Sequence, residues 1–229
     1  MTRISIIIPT LNEAPGIEQA LKALRPLRDR GHELIVVDGG STDGTPNLAR
    51  PLVDRVLNAK RGRASQMNAG AQSAAGEVLL FLHADTRLPA QVDRLILGGL
   101  YDSGLEWGRF DVRIDGHNAL LRVVAAMMNL RSRLTGICTG DQAIFLRRES
   151  FRACGGYPNL ALMEDLALSR ILKTRSRPLR IAEPVLTSAR RWERRGVLRT
   201  ILLMWWLRMR YFLGAQPATL ARMYDREQR

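Results

Sequence analysis

Three places in the chain could carry acid–base or metal chemistry. Asp38 closes the apolar run Glu33–Val37 and opens Asp38-Gly39-Gly40-Ser41-Thr42-Asp43-Gly44-Thr45. A carboxylate there, beside paired glycines that let a backbone come close to a ligand, can accept hydrogen bonds from a ribose or a base edge. Thr42 and Asp43 are better read as caps of the following helix. His83-Ala84-Asp85-Thr86 closes a second apolar run, Glu77–Leu82. Asp85 could hold a hard divalent cation shared with a diphosphate, and His83 is a softer ligand that suits Mn²⁺; capping of the next helix is an equal reading for Asp85. Glu164-Asp165 follows Gly155-Gly156-Tyr157 and opens a helical pattern. Two acids in a first turn are favoured by the helix dipole alone, so a catalytic role requires that helix to face the other carboxylates.

The elements that must position these groups are short and apolar. Ile4–Ile8, ended by Pro9, reads as a fully buried strand, as do Glu33–Val37 and Glu77–Leu82. Helical spacing appears over 13–28 (Ile17, Leu21, Leu24, Leu27), 45–52, 64–74, and beyond Pro89 at Val92, Leu95, Ile96 and Leu100, with Pro89 expected in the first turn. Arg55–Leu57 is a short strand. Strands and helices alternate, which predicts an α/β fold with a mostly parallel sheet flanked by helices. In such sheets ligands bind beyond the carboxyl ends of the strands, where Thr10, Asn12, Glu13, Asp38, His83 and Asp85 all fall. The second half is less regular: strands at 106–112 and 142–146, helices at 118–130, 164–173 and 197–213.

The net charge of +13 and the dense arginine of residues 173–210 suit phosphate-bearing substrates, an anionic membrane face or nucleic acid. Lys60-Arg61-Gly62-Arg63, before a helix carrying Gln66 and Asn68, could receive a phosphate, although solvated charge is the plainer reading of each residue alone. Aromatic residues are few and not interleaved with the basic ones, which argues against nucleic acid. Cys138 and Cys154 match no CxxC or zinc spacing and are expected as reduced thiols of a cytoplasmic protein. No signal-peptide pattern is evident. The apolar stretch Ile201–Leu207 falls far short of the roughly 20 residues that span a bilayer.

Taken in order, the segments SIIIPTLNEAPGIEQAL, ELIVVDGGSTDGT, RGRASQMNAG, EVLLFLHADTRLP, GDQAIFLRRESFRACGGYP and MEDLALSRILK resemble glycosyltransferase family 2 over roughly residues 3 to 195. The resemblance implies a single GT-A-type domain over 1–195, with 196–229 as a C-terminal helical extension. It also implies a nucleoside diphosphate sugar donor and a divalent metal, Mg²⁺ or Mn²⁺. Pro9, Thr10 and Glu13 would line the nucleotide pocket, with Asp38 on the base or ribose. Arg63 and Ala84 would lie near the donor, and Arg190 and Arg191 near its diphosphate. Asp85 would be the last acid of a DxD-type metal motif whose first acid is His83 here, and Asp165 of the ED pair would be the catalytic base. Arg190-Arg191-Trp192 matches only loosely the QxxRW motif of processive members, so a non-processive, inverting transferase is expected.

Two other classes compete. A nucleotidyltransferase would carry a Gly-rich, Arg/Lys signature near the first strand, which PTLNEAPG does not supply. A basic module for a membrane or RNA, with a degenerate site, is the other. Val197, Ile201, Met204, Trp205 and Leu207, with Arg199, Arg208 and Arg210 at the margins, give the last long helix a side suited to a bilayer interface or a partner. Packing of that side on the domain itself is the alternative. Membrane contact would fit a lipid-linked acceptor and a peripheral position at the inner face of the membrane.

Overall fold

The computed structural model describes residues 2–226. Its sheet begins with three buried parallel strands, β1 (Ile4–Thr10), β2 (Glu33–Asp38) and β4 (Val78–Phe81), with the short β3 (Arg55–Asn58) outside β2. β1 lies in the middle and pairs with β2 and β4, so Thr10, Asp38 and the residues after Phe81 reach one edge together. Beyond β4 the sheet turns antiparallel through β7 (Phe145–Arg147) to β6 (Trp107–Asp115), then parallel to β8 (Leu179–Ser188), and ends on the two-residue β5 (Thr86–Arg87).

Both faces of β1 are buried, and the period-2 alternation of a strand divides its side chains between two cores. Ile4, Ile6 and Ile8 meet α1 (Ala14–Asp29) and α4 (Val92–Ser103) through Ile17, Leu21, Leu24, Ile96 and Leu100. Ile7 faces the opposite layer, with Ala64, Met67 and Ala71 of α3 (Arg63–Ser73) and Leu168 and Leu172 of α7 (Glu164–Lys173). α7 is thereby fastened to the sheet by its apolar stripe, and its first turn is aimed at the strand ends.

Several expected boundaries shift. The helix predicted over 45–52 is α2 (Thr45–Ala49) with a 3-10 turn over Arg50–Leu52. Pro89 lies outside α4, which begins at Val92 after Gln91 in the left-handed region, φ 55°. Asp85 is therefore seven residues from that helix and does not cap it. The strand predicted at 142–146 starts later, at Phe145, because Gly140–Gln142 form a 3-10 turn. α5 (Ala119–Thr135) runs one turn beyond its predicted end.

The C-terminal part contains α8 (Arg190–Arg195), α9 (Val197–Phe212) and α10 (Pro217–Arg226). Val197 and Ile201 pack on α5 near Leu121 and Val124, while Leu207, Leu220 and Tyr224 pack on Met163 and Leu166 at the start of α7. The expected single apolar side of α9 is divided. Val197 and Leu207 are buried, whereas Leu198, Leu202, Trp205, Met209 and Phe212 form an exposed stripe. Arg208, expected at the margin, is turned inward and half-buried. Among the described residues no helix is long and apolar enough to cross a membrane. Cys138 and Cys154 are free, and burial pushes the Cys138 thiol up to about 12.

Candidate active site

The first strand ends are stitched together by a polar loop pair. Thr10 and Asp38 are both buried, and the Asp38 carboxylate receives four hydrogen bonds from the protein itself. Thr10 Oγ1 and Ser41 Oγ donate to Oδ1; the Gly40 and Ser41 amides donate to Oδ2, at 2.8 and 2.7 Å. Gly40 has φ +94°, the left-handed turn that lets those amides curl back onto the carboxylate. Gln66 of α3 donates from Nε2 to the carbonyls of Thr10 and Val37 and locks the two strand ends. Asp43 accepts from the Thr45 and Ala14 amides, so it holds the loop and the start of α1; the cap of the following helix expected of Thr42 or Asp43 is instead Gly44, in the left-handed region and without a side-chain cap. Pro9 stays within β1 opposite Val37, and Ala84 packs against the core beneath α1 and α4.

Past β4, the turn Gly140-Asp141 is the hub of the site. Its Gly140 amide donates to Asp165 Oδ2 at 2.7 Å, and Asp141 Oδ1 lies 3.3 Å from His83 Nδ1. The histidine ring lies so close to Gly140 that a Cβ there would stand 2.4 Å from Nε2; only glycine admits the ring. One short turn therefore connects the end of β4 to the first turn of α7. Asp85, exposed, lines a narrow cleft with Asp141, Ser188, Arg191 and Trp192. β5 holds it there by pairing with the end of β8, where Ser188 donates to the Asp85 carbonyl at 3.2 Å.

The same β8 end delivers α8. Arg190 pairs with Glu13 at 3.0 Å, which connects the loop after β1 to the far edge of the sheet. The Arg191 guanidinium stands 5.7 Å from the Tyr224 ring, and its charge acts on Asp141. Burial raises the Asp141 pKa, but the His83 hydrogen bond and charge, then Arg191 and Arg63, more than offset this and hold the carboxyl well below the usual range. Desolvation disfavours the Arg63 charge, yet Glu164, Tyr224, Asp141 and Asp165 around it keep its pKa above the ordinary value.

The expected residues thus fall into two joined groups. Pro9, Thr10, Glu13 and Asp38 share one loop cluster with Arg190; His83, Asp85, Arg63, Arg191 and Asp165 surround Asp141. Sequence reasoning passed over Asp141, although it stands inside the segment GDQAIFLRR. It also passed over Arg131, whose charge acts on Asp165 and Asp141 from α5. Asn68 forms a two-way bridge to the Tyr157 backbone at 2.9 Å and fixes the Gly-Gly-Tyr turn over α3.

The model for glycosyl transferase family 2 matches residues 5–153, which spans the loop cluster, the His83–Asp85 segment and the Gly140-Asp141 turn. The chain belongs to this family. Family members with similar sequences include an undecaprenyl-phosphate 4-deoxy-4-formamido-L-arabinose transferase of Pseudomonas fluorescens, 30% identical over 63% of this chain and 46% of that protein. A PGL/p-HBAD biosynthesis glycosyltransferase of Mycobacterium bovis is 35% identical over 67% of this chain and 62% of its own length. The chain spans between about half and three-fifths of these relatives. The mannosyltransferase PcManGT from Pyrobaculum calidifontis, solved with GDP-Man and Mn²⁺, shares the fold at a TM-score of 0.61 and 23% identity, covering 82% of this chain and 56% of that one. The α/β architecture is thus the GT-A fold of family 2.

Glu164 and Asp165, though adjacent, have different surroundings. Glu164 is 5% exposed, and burial followed by the charge of Asp165 raises its carboxyl above the ordinary value, only partly opposed by Arg63. The folded protein keeps this proton to higher pH than the unfolded chain does. Ionisation therefore costs stability: nothing at pH below the unfolded carboxylate value, and progressively more as pH rises through the folded one. Glu164→Gln should accordingly gain in melting temperature relative to wild type between about pH 4 and pH 7. A difference that stays flat over that range, or turns against the glutamine, would contradict the assignment.

Proposed function

We propose that this family 2 chain is an inverting, non-processive glycosyltransferase that moves a sugar from a nucleoside diphosphate donor to an acceptor hydroxyl. The observation that carries the reading is the Gly140-Asp141 turn, which joins Asp165 to the His83–Asp85 segment. A base and a diphosphate site must lie on the two sides of one anomeric carbon for a single displacement to occur. The ligands named with PcManGT, GDP-Man and Mn²⁺, agree with such a donor and ion.

Pro9, Thr10, Glu13 and Asp38 are assigned to the nucleoside end. Asp38 acts there by shaping its loop, since both carboxylate oxygens already accept hydrogen bonds. Arg63, Arg190 and Arg191 face the diphosphate and stabilise the charge that develops on it. Asp165 takes the proton from the acceptor hydroxyl as that oxygen bonds to the anomeric carbon. The bond from that carbon to the diphosphate breaks, and its electron pair leaves with the phosphate. One such step inverts the configuration.

The described residues contain no group of three protein metal ligands. The Asp85 carboxylate is exposed and makes no hydrogen bond or ion pair among them. This fits Mg²⁺ or Mn²⁺ only as an ion shared with the donor phosphates and waters, as Mg²⁺ commonly is. When bound, it would supply Lewis-acid neutralisation of the leaving diphosphate. His83 contributes by holding Asp141. A panel of nucleoside diphosphate sugars, screened by thermal shift with divalent metal present, tests the whole reading. At least one should raise the melting temperature and be consumed with an acceptor; no response across the panel would end it.

A peripheral membrane contact is also proposed. The stripe Leu198, Leu202, Trp205, Met209 and Phe212 on α9 is matched on the neighbouring α5 by Leu120, Val123, Met127, Leu130 and Leu134, all exposed. Exposed Arg122, Arg133, Arg199 and Arg210 flank the two stripes, and such a basic-edged apolar surface complements an anionic bilayer. The protein should float with anionic but not neutral liposomes at low salt. Equal indifference to both would refute the contact.

A further inference from the structure

Arginines buried without acceptors are uncommon, because each leaves the full cost of desolvating an N–H uncompensated. Two occur side by side here. Among the described residues Arg131 Nε and Nη2, on α5, and Arg208 Nε, on α9, are shielded from solvent and meet no hydrogen-bond acceptor. The two helices pack on each other. Arg208 lies one residue from Leu207, which anchors α9 beside Met163 and Leu166 at the first turn of α7. Arg131 is next to Ser132, whose hydroxyl accepts from Gln142 Nε2 beyond Asp141. The guanidinium groups thus stand on the side of the site formed by α5, α9 and the start of α7, away from the loop cluster of Asp38.

The neighbouring acids do not satisfy them. Asp165 spends its oxygens on the Gly140 and Leu166 amides, and Asp141 turns to His83. Yet the charges are mutually felt. Burial first, and then Arg208, bring the Arg131 pKa down to about 10, with Asp165 and Asp141 pulling it back up. Burial likewise lowers Arg208, against the same two acids. Two like charges held together, with their N–H groups unspent, are suited to a divalent oxyanion that accepts from both forks.

We propose that Arg131 and Arg208 form an acceptor-side anion site, which binds a phosphate monoester on the molecule that receives the sugar. The proposal rests on the transferase reading above, since it takes Asp165 as the acceptor's base. Phosphate is favoured over a lone carboxylate because the pair carries two positive charges. The site also lies near the C-terminal ends of the exposed stripes of α5 and α9, beside Leu130, Leu134, Met209 and Phe212, so the phosphate belongs either to a soluble ester or to a lipid headgroup.

The test measures binding to the purified full chain of farnesyl phosphate, glycerol 3-phosphate and the nucleoside diphosphate of the donor found above. Wild type, Arg131→Met and Arg208→Met are compared. Farnesyl phosphate should bind the wild type, and each variant should weaken it roughly ten- to a hundred-fold, the worth of a lost charge-assisted hydrogen bond. Nucleotide affinity should stay within about threefold. Without ligand the variants should melt at or above the wild-type temperature, because an unpaired buried charge has been replaced by an apolar chain of similar length. If a methionine variant does not fold, Arg131→Lys, which keeps the charge but not the planar fork, gives the same comparison. Equal binding of both esters supports recognition of the phosphate alone; binding of the farnesyl ester only supports a phosphate borne on a lipid chain that the helix faces also hold. Unchanged ester affinity in the variants overturns the site. So does an equal loss of nucleotide affinity, which would assign the arginines to the donor diphosphate. A wild type that binds nucleotide but neither ester also overturns it. A wild type that binds esters but no nucleoside diphosphate would instead sink the transferase reading and leave the anion site standing.

Discussion

Asp165→Asn is expected to cut turnover by roughly 10²–10⁴-fold, the usual worth of a general base. The residue is suited to the task by position. The left-handed turn at Met163, φ 69°, starts α7 so that Asp165 reaches the Gly140 amide, while Glu164 is carried into the buried side next to Arg63. Asparagine retains the shape but not the acceptor on both oxygens. One of the two amides now facing Asp165, Gly140 or Leu166, would meet an NH₂, at a stability cost of about 1–2 kcal/mol. That cost raises a competing explanation, in which activity falls because the Gly140-Asp141 turn is displaced. Donor affinity separates the two. The base acts on the acceptor, so nucleotide binding should be unchanged in Asp165→Asn; a displaced turn would move Asp141 and His83 and weaken the nucleotide as well. Turnover near the wild-type level, or a loss of donor affinity as large as the loss of turnover, would refute the base assignment.

How much of this was legible in the sequence depended on how local the signal was. β1, β2 and β4 read as near-continuous apolar runs, interrupted inside only by Ser5, because both of their faces are covered, and a run of that kind is visible without knowing its partners. α7 begins and ends where its apolar spacing predicts. β8 was not visible. It lies near the far edge of the sheet, its burial is patchy, and Arg180, Glu183 and Pro184 interrupt any alternation. Its strand character comes from a long parallel pairing with β6, which only the fold supplies. The same pairing buries Asp111 between Arg109 and Arg180, charges that a sequence reading places on the surface.

The site divides in the same way. Residues that terminate strands could be found, because in a parallel sheet the strand ends are where ligands bind. Their partners could not. Asp141 follows a glycine in what reads as a turn, and its meaning depends on His83, 58 residues earlier. Arg208 looks like the polar edge of an amphipathic helix, and Arg131 falls just past the helix predicted over 118–130, until α5 and α9 are packed together. Asp38 shows the opposite problem. Its position is that of a ligand contact, but the Gly40 and Ser41 amides curl back onto it, and its first task is to hold the loop. Strand position predicts where a side chain is, while the hydrogen bonds that occupy it come from residues whose approach is set by tertiary structure.

Removal of divalent metal is expected to abolish transfer, with Mn²⁺ or Mg²⁺ restoring it, and Asp85→Ala should stay inactive with metal in excess. The expectation comes from what Asp85 lacks and what surrounds it. Its carboxylate is exposed and unspent, it shares a cleft with Asp141 and Arg191, and β5 fixes its backbone against Ser188. A single protein carboxylate binds Mg²⁺ or Mn²⁺ weakly by itself, so the ion should arrive and leave with the diphosphate. Metal should then tighten nucleoside diphosphate binding in the wild type by about tenfold or more, and Asp85→Ala should erase that increment while leaving the metal-free affinity alone. His83→Ala is a different case. Its Nδ1 serves Asp141 and its Nε2 is crowded by Gly140, so this variant should keep the metal increment and lose activity through a loosened turn. The rival account gives the neutralising work to Arg63, Arg190 and Arg191 alone. It predicts full turnover in a chelator and no effect of metal on nucleotide affinity. Calorimetry of the nucleoside diphosphate with and without metal, on wild type, Asp85→Ala and His83→Ala, decides between them: an increment that survives in Asp85→Ala would place the ion elsewhere.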